Sequence, residues 1–185
     1  ADAEVASDVI ASVVYTGFAE DAPAAYAFLE NFNIPSDTQS QWIYEYNIEE
    51  VEPSAIAETY VSENQELVDS WTPDEAELGT ETLTIGIPPW PGVTVKSAIA
   101  ERILEDMGYT VEVKEMDVGI VYTSLAEKDI DMNLAGWLPS THGQYWEEQQ
   151  DSIEIAGINV TKTWLGLGVP DYVSEEIQSL EDLAN

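Results

Sequence analysis

Cysteine is absent from the 185 residues, and basic residues are few and scattered. The missing thiols exclude disulfides, thiol nucleophiles and zinc sites built on thiolates. Lysine and arginine together number five, at positions 96, 102, 114, 128 and 162. Because a phosphate backbone is bound by clustered Lys and Arg, this distribution argues against a nucleic-acid partner.

Long apolar runs are also absent. No stretch of the sequence approaches the ~20 apolar residues of a membrane-spanning helix. No signal-peptide pattern is present, and the small, polar start at residues 1–4 fits either a mature N-terminus left by cleavage or an arbitrary boundary.

Acidic residues are abundant: 37 Asp and Glu against five Lys and Arg give a formal net charge of −32. Such a charge disfavours adsorption to an anionic membrane. Hydrophobic residues make up 44% of the chain, which includes six Trp and nine Tyr, and this is too apolar and aromatic for a disordered polypeptide. The composition indicates a folded protein of a high-salt milieu, where ions screen the repulsion between carboxylates.

Hydrophobic periodicity divides the chain into four segments. A dense apolar run ending at Gly17 predicts a first strand, and a polar stretch with Pro73 and Gly79 predicts a linker before an α/β pattern begins. The predicted segments are a first strand, a helical block, a βαβαβ core, and a final strand with a terminal helix, at residues 1–19, 20–72, 80–150 and 151–185.

The helical block has recognisable helix starts. Pro23 and Pro53 suit the first turn of a helix, and residues 36–39 have the sequence of a capping box. Trp42 and Trp71 fall at helical spacing within the block. We expect both to be core residues.

The βαβαβ core shows the most regular alternation. Predicted strands begin near Leu83, Tyr109 and Asp129. The helix between the first and second strands is predicted to end at Gly108, and the helix between the second and third strands is predicted to begin at Asp117. Short connections between alternating strands and helices are typical of a parallel sheet with right-handed crossovers. The predicted fold class is therefore α/β.

The last segment predicts two separate extended runs, at residues 153–158 and 164–169, and then a helix that Ser174 caps. Asn159 begins a triplet that fits the N-glycosylation sequon, which is common by chance.

Two tryptophans each follow a predicted strand of the core. Trp90 lies in a Pro- and Gly-rich loop, and Trp137 follows Gly136. Both are expected at the C-terminal edge of the sheet, where ligands of open α/β sheets bind. Because an indole face attracts a quaternary ammonium by about 0.5–2 kcal/mol, the pair predicts an aromatic slot for a cation. The alternative is that the two rings pack against each other or against a loop.

His142, the sole histidine, follows Trp137 by five residues, at the start of a short helix that Thr141 is predicted to cap. Free N–H groups and the dipole at a helix start favour an anion. We therefore predict that His142 contacts a ligand carboxylate, with charge assistance if its ring is protonated. The alternative is a solvated histidine without a ligand. Together with the aromatic slot, this predicts a site for a small zwitterion.

Catalytic, cofactor and metal motifs are not found. The sequence has no G-x-S-x-G around a nucleophile, and no G-x-G-x-x-G or G-K-[ST] loop follows the first core strand. Residues 129–133 begin like a calcium loop, but Leu134 stands where glycine is needed and Ser140 where the bidentate glutamate is needed. The sequence predicts no catalytic residue, no metal site and no cofactor.

Several stretches resemble the glycine betaine/proline betaine substrate-binding proteins of ABC importers. The resemblance covers nearly the whole chain, and its most specific motif is W-L-P-S-T-H at residues 137–142. The stretches that carry it are A-G-W-L-P-S-T-H-G-Q-Y-W, L-A-E-K-D-I-D, T-I-G-I-P-P-W, R-I-L-E-D-M-G-Y-T-V, W-L-G-L-G-V-P-D-Y-V, S-L-E-D-L and A-Y-A-F-L-E-N-F-N-I.

The resemblance implies one lobe of a two-lobed, type II periplasmic-binding-protein-like fold. It implies that Trp90 and Trp137 wall a cage around a trimethylammonium group and that His142 contacts the carboxylate. The order of segments is similar to that of circularly permuted members. Residues 1–185 are expected to form a single lobe, with the second lobe absent and with crossover strands near residues 9–17 and 162–170 that can pair.

The function that the resemblance implies is the binding of glycine betaine or a related quaternary ammonium solute for osmoprotectant uptake. The expected partners are that zwitterion, an ABC permease and ATPase, and the missing lobe, in an extracytoplasmic location. Binding by one lobe alone is expected to be weak. Two alternatives remain open at this point: an enzyme of small metabolites that uses His142, and a dimerising regulatory or assembly module.

The acidic composition makes a prediction about stability. Raising KCl from dilute buffer to molar concentration is expected to raise the melting temperature, because counterions screen the repulsion among carboxylates in the folded state. Thermal unfolding followed by circular dichroism across this range measures the effect. A melting temperature that does not change with KCl would contradict the high-salt interpretation.

Overall fold

The computed structural model describes residues 7–73, 79–164, 170–173, 176, 177, 179 and 182. Within these residues the chain forms one five-stranded sheet, helices on both of its faces, and a short 3-10 helix at Asp171–Val173. The strands are β1 (Ser7–Tyr15), β2 (Thr82–Ile87), β3 (Thr110–Glu115), β4 (Met132–Leu138) and β5 (Ile153–Trp164). The helices are α1 (Phe18–Asp21), α2 (Pro23–Asn31), α3 (Ser36–Asn47), α4 (Pro53–Glu63), α5 (Gln65–Trp71), α6 (Pro91–Asp106), α7 (Val118–Glu127) and α8 (Gly143–Gln149).

The strand order in the sheet is β3-β2-β4-β1-β5. Strand β2 pairs in parallel with β3 and with β4, while β1 runs antiparallel to both β4 and β5. The predicted α/β class and the parallel βαβαβ core are confirmed. Gly108 follows α6 with a φ of 96°, which only glycine adopts readily, and it ends the helix as expected.

The last strand differs from the prediction. The first run was expected at residues 153–158, but β5 continues from Ile153 to Trp164. The second predicted run, at residues 164–169, lies outside the described residues except for Trp164. Strand β5 is continuous because β1 pairs with it along its whole length, from Tyr15 to Ser7. The register between the two strands shifts at three places along this pairing. The N-terminal strand therefore pairs mainly with residues 153–160, and only its first two residues reach the predicted second crossover.

The capping box predicted at residues 36–39 is wrong. Ser36 is already the first helical residue of α3, Pro35 occupies the N-cap position, and no side chain caps the helix. A capping box needs the side chain of Gln39 to turn back to the N-cap. That side chain instead accepts a hydrogen bond from Lys96 on α6.

Two apolar clusters lie on opposite faces of the sheet. Alternate residues of β1 divide between them, since Ile10 and Val14 belong to the larger cluster and Ala11 and Val13 to the smaller. The helical block and α6 pack in the larger cluster, and α7 and α8 cover the smaller.

The predicted core tryptophans of the helical block are buried. Trp71 meets the ring of Phe32 edge-on at 5.0 Å, and Trp42 meets Tyr60 edge-on at 4.8 Å. These contacts join α5 to the end of α2 and α3 to α4. Helices α3 and α4 also pack on α6, which carries cavity residues described below.

Some predicted features lie outside the described residues, in whole or in part. These are the central part of the linker at residues 74–78, the extended run expected at residues 164–169 apart from Trp164, and most of the terminal helix expected from Ser174. Among the helices that the structure does describe, none is both long enough and apolar enough to cross a membrane.

Strand β5 passes very close to the backbone at the end of α2. A Cβ atom placed on Gly157 would lie 2.2 Å from the carbonyl oxygen of Leu29 and 3.0 Å from the Cα of Glu30. Backbone atoms cannot move aside as a flexible side chain can, so the packing of α2 on the sheet requires glycine at this position.

Replacing Gly157 with alanine is therefore expected to lower the free energy of unfolding by about 3 kcal/mol, the upper end of overpacking costs. The matched control is Gly143→Ala, since a Cβ at Gly143 meets nothing within 4 Å. The control is expected to change stability by less than about 1 kcal/mol. Urea denaturation of both variants measures the difference, and equal stabilities would contradict the close approach.

Candidate functional site

A cavity of about 390 Å³ lies at the C-terminal ends of β2 and β4. All three residues that the sequence singled out, Trp90, Trp137 and His142, line it. Their contact with a ligand stays a prediction. The other lining residues come from β1, α3, α6 and the end of β4, and they are Ile10, Gln39, Ile43, Pro91, Gly92, Val93, Lys96, Ala135 and Thr141.

Trp90 is placed by the stiff loop between β2 and α6. It occupies the N-cap position of α6 with extended backbone angles, and its carbonyl accepts hydrogen bonds from the N–H groups of Val93 and Thr94 at 3.1 and 3.0 Å. The helix that follows begins with Pro91, whose ring suits a first turn. The backbone is thereby fixed while 37% of the side chain is exposed at the cavity.

Trp137 lies within β4, opposite Ile10 of β1. The preceding residue, Gly136, is needed because a Cβ there would lie 2.7 Å from Val13 and 3.1 Å from the carbonyl oxygen of Ala11. The register between β1 and β4 shifts at this point. Gly136 thus allows β4 to pack closely against β1, and Trp137, the next residue, places a half-buried indole near the C-terminal end of β4.

His142 is almost completely buried, with 2% of its surface exposed. Its Nδ1 accepts the backbone N–H of Trp137 at 3.2 Å and lies 3.3 Å from the hydroxyl of Tyr122. A backbone N–H can only donate, so Nδ1 holds a lone pair and the ring proton is on Nε2. The site therefore offers a neutral Nε2–H donor.

Burial lowers the pKa of His142 to about 4, although the carboxylate of Asp8 partly offsets this effect. Burial also raises the pKa of Tyr122 well above its ordinary value, so that its hydroxyl stays protonated and donates to the histidine. At neutral pH the His142 ring is uncharged. The condition for a charge-assisted contact, a protonated ring, is not met near pH 7.

The aromatic rings around His142 form a connected group. The centroid of Trp90 lies 5.6 Å from that of His142, and Tyr122 and Tyr145 approach the imidazole edge-on at 5.7 and 6.2 Å. Among the ring contacts of the described residues, Trp90 is paired with His142 and not with Trp137. The alternative in which the two indoles pack on each other therefore does not describe this arrangement.

The loop before α8 is held by a buried carboxylate that the sequence did not suggest. Asp8 of β1 accepts hydrogen bonds from the backbone N–H groups of Ser140 and Thr141, at 2.9 and 3.0 Å, and from both of their hydroxyls. The predicted cap by Thr141 is wrong, because its side chain bonds Asp8 and His142 occupies the N-cap position. Part of the predicted anion site is thus already filled by a side chain of the protein.

The hydrogen bonds to Asp8 determine its charge. Burial alone raises the pKa of a carboxyl group, but the hydrogen bonds from Ser140 and Thr141 outweigh burial and bring the pKa of Asp8 to about 2. Asp8 is therefore ionised throughout the physiological range, and its negative charge lies near His142.

The electrostatic character of the lining follows from its composition. Its titratable side chains are Lys96 and His142, and no carboxylate is among the lining residues that the structure describes. The same part of the chain contains no group of three or more His, Asp or Glu side chains that could hold a metal ion. The cavity is thus apolar and aromatic, with a few hydrogen-bond donors, which is the usual makeup of a small-molecule site.

Sequence reasoning missed Asp8, Tyr122 and Lys96. Asp8 and Lys96 are charged residues set among apolar neighbours on a strand and a helix, a pattern that is a sequence signal for a buried charge. Tyr122 gave no such signal, because a tyrosine on the apolar side of α7 is equally well a core residue.

Comparison with known proteins relates the chain to transport binding proteins. The family model described as the substrate binding domain of ABC-type glycine betaine transport system matches residues 2–63 and 81–185. A glycine betaine/carnitine transport binding protein of Listeria monocytogenes is 28% identical over 174 residues, which are 94% of this chain and 57% of that protein. An uncharacterized protein of Chromohalobacter salexigens is 32% identical over 99 residues, which are 51% of this chain and 63% of that protein. The chain thus spans less than two thirds of the length of either relative.

The Asp8 contacts generate a prediction about stability and pH. The folded-state pKa of about 2 lies below the ordinary value of 3.8, so Asp8 stabilises the fold above about pH 5, and this contribution is lost as the pH falls toward 2. At pH 7, Asp8→Asn is expected to lower the free energy of unfolding by about 2 kcal/mol.

The matched control is Asp129→Asn, at an exposed carboxylate. Urea denaturation between pH 7 and pH 2, at constant KCl, measures the difference in the free energy of unfolding between wild type and each variant. The difference for Asp8→Asn is expected to narrow as the pH falls, whereas the control is expected to stay within about 0.5 kcal/mol of wild type. A difference for Asp8→Asn that does not depend on pH would contradict the assignment.

Proposed function

The chain belongs to the family of substrate-binding domains of ABC-type glycine betaine transport systems, and from that premise we propose that its cavity binds glycine betaine or a related quaternary ammonium solute. Its fold is a periplasmic-binding-protein-like lobe, consistent with that family. The observation that carries the proposal is that Trp90 lines the same cavity as Trp137 and His142, although it precedes them by more than forty residues in the sequence.

The cationic end of the ligand is assigned to the indoles. A trimethylammonium group carries a diffuse charge and no N–H donor, so it is recognised by aromatic faces rather than by hydrogen bonds. Trp90 and Trp137 present indoles to the cavity from two different elements, and no described carboxylate of the lining competes for the cation. Each indole is expected to contribute about 0.5–2 kcal/mol.

The anionic end is assigned in part to His142. Its neutral ring keeps Nε2–H as a donor, because Nδ1 is occupied by the backbone N–H of Trp137. The hydrogen bond to a carboxylate is then a bond from a neutral donor to an anion. It does not require protonation of the ring, and is therefore independent of pH near neutrality.

The cavity is open on one side, since more than a third of the Trp90 side chain is exposed. We propose that a second lobe covers this side and removes the bound cation from water, which strengthens cation–π contacts. Without that cover, binding by residues 1–185 is expected to be weak. The delivery of solute to an ABC permease and ATPase, and an extracytoplasmic location, are supported by the family and by the Listeria relative's name.

The alternative functions have less support. The family is one of transport binding proteins, which favours neither an enzyme nor a dimerising module. In addition, the proton acceptor of His142, Nδ1, is already occupied by two protein groups. An enzyme using this histidine as a general base would need that lone pair to be available for substrate.

The proposal predicts that Trp90→Ala and Trp137→Ala each weaken glycine betaine binding by about 2-fold to 30-fold, since each removes one cation–π contact. The matched control is Trp146→Phe, because Trp146 packs against the smaller apolar cluster and does not line the cavity. Ligand-observed saturation-transfer NMR in molar KCl, which detects weak binding, measures the affinities.

The control variant is expected to bind like wild type. Absence of any saturation transfer to glycine betaine, both with this chain alone and after addition of the second lobe of a related receptor, would contradict the proposed function. Equal weakening by all three variants would point to a general loss of structure rather than to loss of specific contacts.

A further inference from the structure

Lys96 is a fully buried cation in a chain that has very few cations. Only 1% of its surface is exposed, and it lies on α6 with its side chain at the wall of the cavity. Ion pairs of the described lysines and arginines involve Lys114, Lys128 and Arg102, all on the surface. None of the described carboxylates forms a salt bridge with Lys96. In a protein with 37 acidic residues, this isolation is unusual.

Two neutral amides hold the ammonium group in place. Nζ donates to Oε1 of Gln39 on α3 at 3.1 Å and to Oδ1 of Asn159 on β5 at 2.7 Å. Asn159 is itself fixed, because its Nδ2 donates to the hydroxyl of Ser12 and to the carbonyl of Leu134. The side chain of Asn159 is fully buried, so the sequon there is not an accessible glycosylation site in the folded protein.

This network leaves one N–H group of the ammonium without an acceptor among the described residues. A lysine ammonium has three N–H donors. Gln39 and Asn159 accept two of them, and the described residues supply no acceptor for the third. Gln39 also lines the cavity, so the hydrogen-bonded pair of Lys96 and Gln39 lies at the cavity wall.

Burying a cation without a negatively charged partner is costly, because burial disfavours the charged form. Burial lowers the pKa of Lys96 to about 7. Neighbouring charges do not account for this lowered pKa. Helix α3 and strand β5 present neutral amides to Lys96. The other titratable group of the cavity lining is His142, which is neutral above pH 6. A buried ionisable group that has a strongly shifted pKa, lines a cavity and has no ion-pair partner is typical of a functional site.

We propose that Lys96 is an anion-binding residue of the cavity and that its ammonium binds the carboxylate of a zwitterionic solute, together with Nε2–H of His142. The proposal rests on the proposed function, because it assigns the second end of the same ligand. The carboxylate supplies both the missing acceptor for the third N–H and the missing negative charge.

The same geometry gives the cavity a preference between two related ligands. A solute that carries only the trimethylammonium group brings a second positive charge toward Lys96 and is repelled. A betaine brings its carboxylate and pairs with Lys96. The cavity is therefore selective for zwitterions over simple cations of the same size.

The test compares glycine betaine with choline, which has the trimethylammonium group but a hydroxyl in place of the carboxylate. Tryptophan fluorescence titrations of wild type and Lys96→Met, in the same KCl concentration, give the four affinities. Methionine keeps the apolar stem and removes the charge. We expect the variant to bind glycine betaine about 10-fold to 100-fold more weakly, as for loss of a hydrogen bond between charged groups, and choline equally or more tightly.

A second measurement uses wild type and does not depend on how the variant folds. The chain has only four lysines, so the side chains of ¹³C-labelled lysine are easily resolved by NMR. Glycine betaine is expected to raise the pKa of Lys96 by about one unit or more, whereas choline is expected to leave it unchanged or lower it. Lys114, exposed on β3, is the internal control and is expected not to respond.

The outcomes separate the two proposals. If glycine betaine binds but Lys96→Met weakens both ligands equally or neither, and the pKa of Lys96 does not respond, then the role of Lys96 is wrong and the proposed function stands. If neither ligand binds wild type, either alone or after addition of the second lobe of a related receptor, the proposed function fails, and titration with sodium acetate decides the role of Lys96. A rise in its pKa with acetate supports an anion site, and an unchanged pKa overturns it.

Discussion

The carboxylate of Asp8 is held by two backbone and two hydroxyl donors of Ser140 and Thr141, and the shape of the cavity depends on this contact. It ties the start of β1 to the loop between β4 and α8. That loop delivers His142 beneath Trp90, and the backbone of Trp137 then fixes the imidazole through its N–H. A charge that stays inside the protein thus orients uncharged groups of the cavity lining.

The surface and the cavity of this protein have opposite electrostatic characters. The surface carries most of 37 carboxylates, whereas the lining that the structure describes contains none. A zwitterion has no net charge, so the field of the surface neither attracts nor repels it strongly at long range. In the proposed binding mode recognition is local: aromatic faces act on one end of the solute, and hydrogen-bond donors act on the other.

The fold was largely predictable from the sequence because its core rests on local signals. A few adjacent residues determine each of these signals: the apolar alternation in β2 and β3, the end of α6 at Gly108 and the start of α4 at Pro53. The same holds for the two tryptophans, since Trp90 follows β2 and Trp137 lies near the end of β4, and these two strands are parallel. Trp137 was predicted to follow the strand but lies within it. The apolar neighbours of Asp8 and Lys96 signal that both charges are buried, but their contacts could not be predicted, because the partners lie far away in sequence. The tautomer of His142 likewise depends on a backbone group whose position only the folded loop defines.

The antiparallel strand β1 also bears on how the chain is made. It lies between β4 and β5, and each of its residues pairs with partners more than one hundred positions later in the sequence. At the ~5–20 residues per second of protein synthesis, this apolar strand waits for about 6–23 seconds before its first neighbour, β4, exists. During that interval its hydrophobic side chains and open backbone groups have no native partner. Strand β1, an interior strand of the finished sheet, is thus a segment that needs protection while the polypeptide is still emerging from the ribosome.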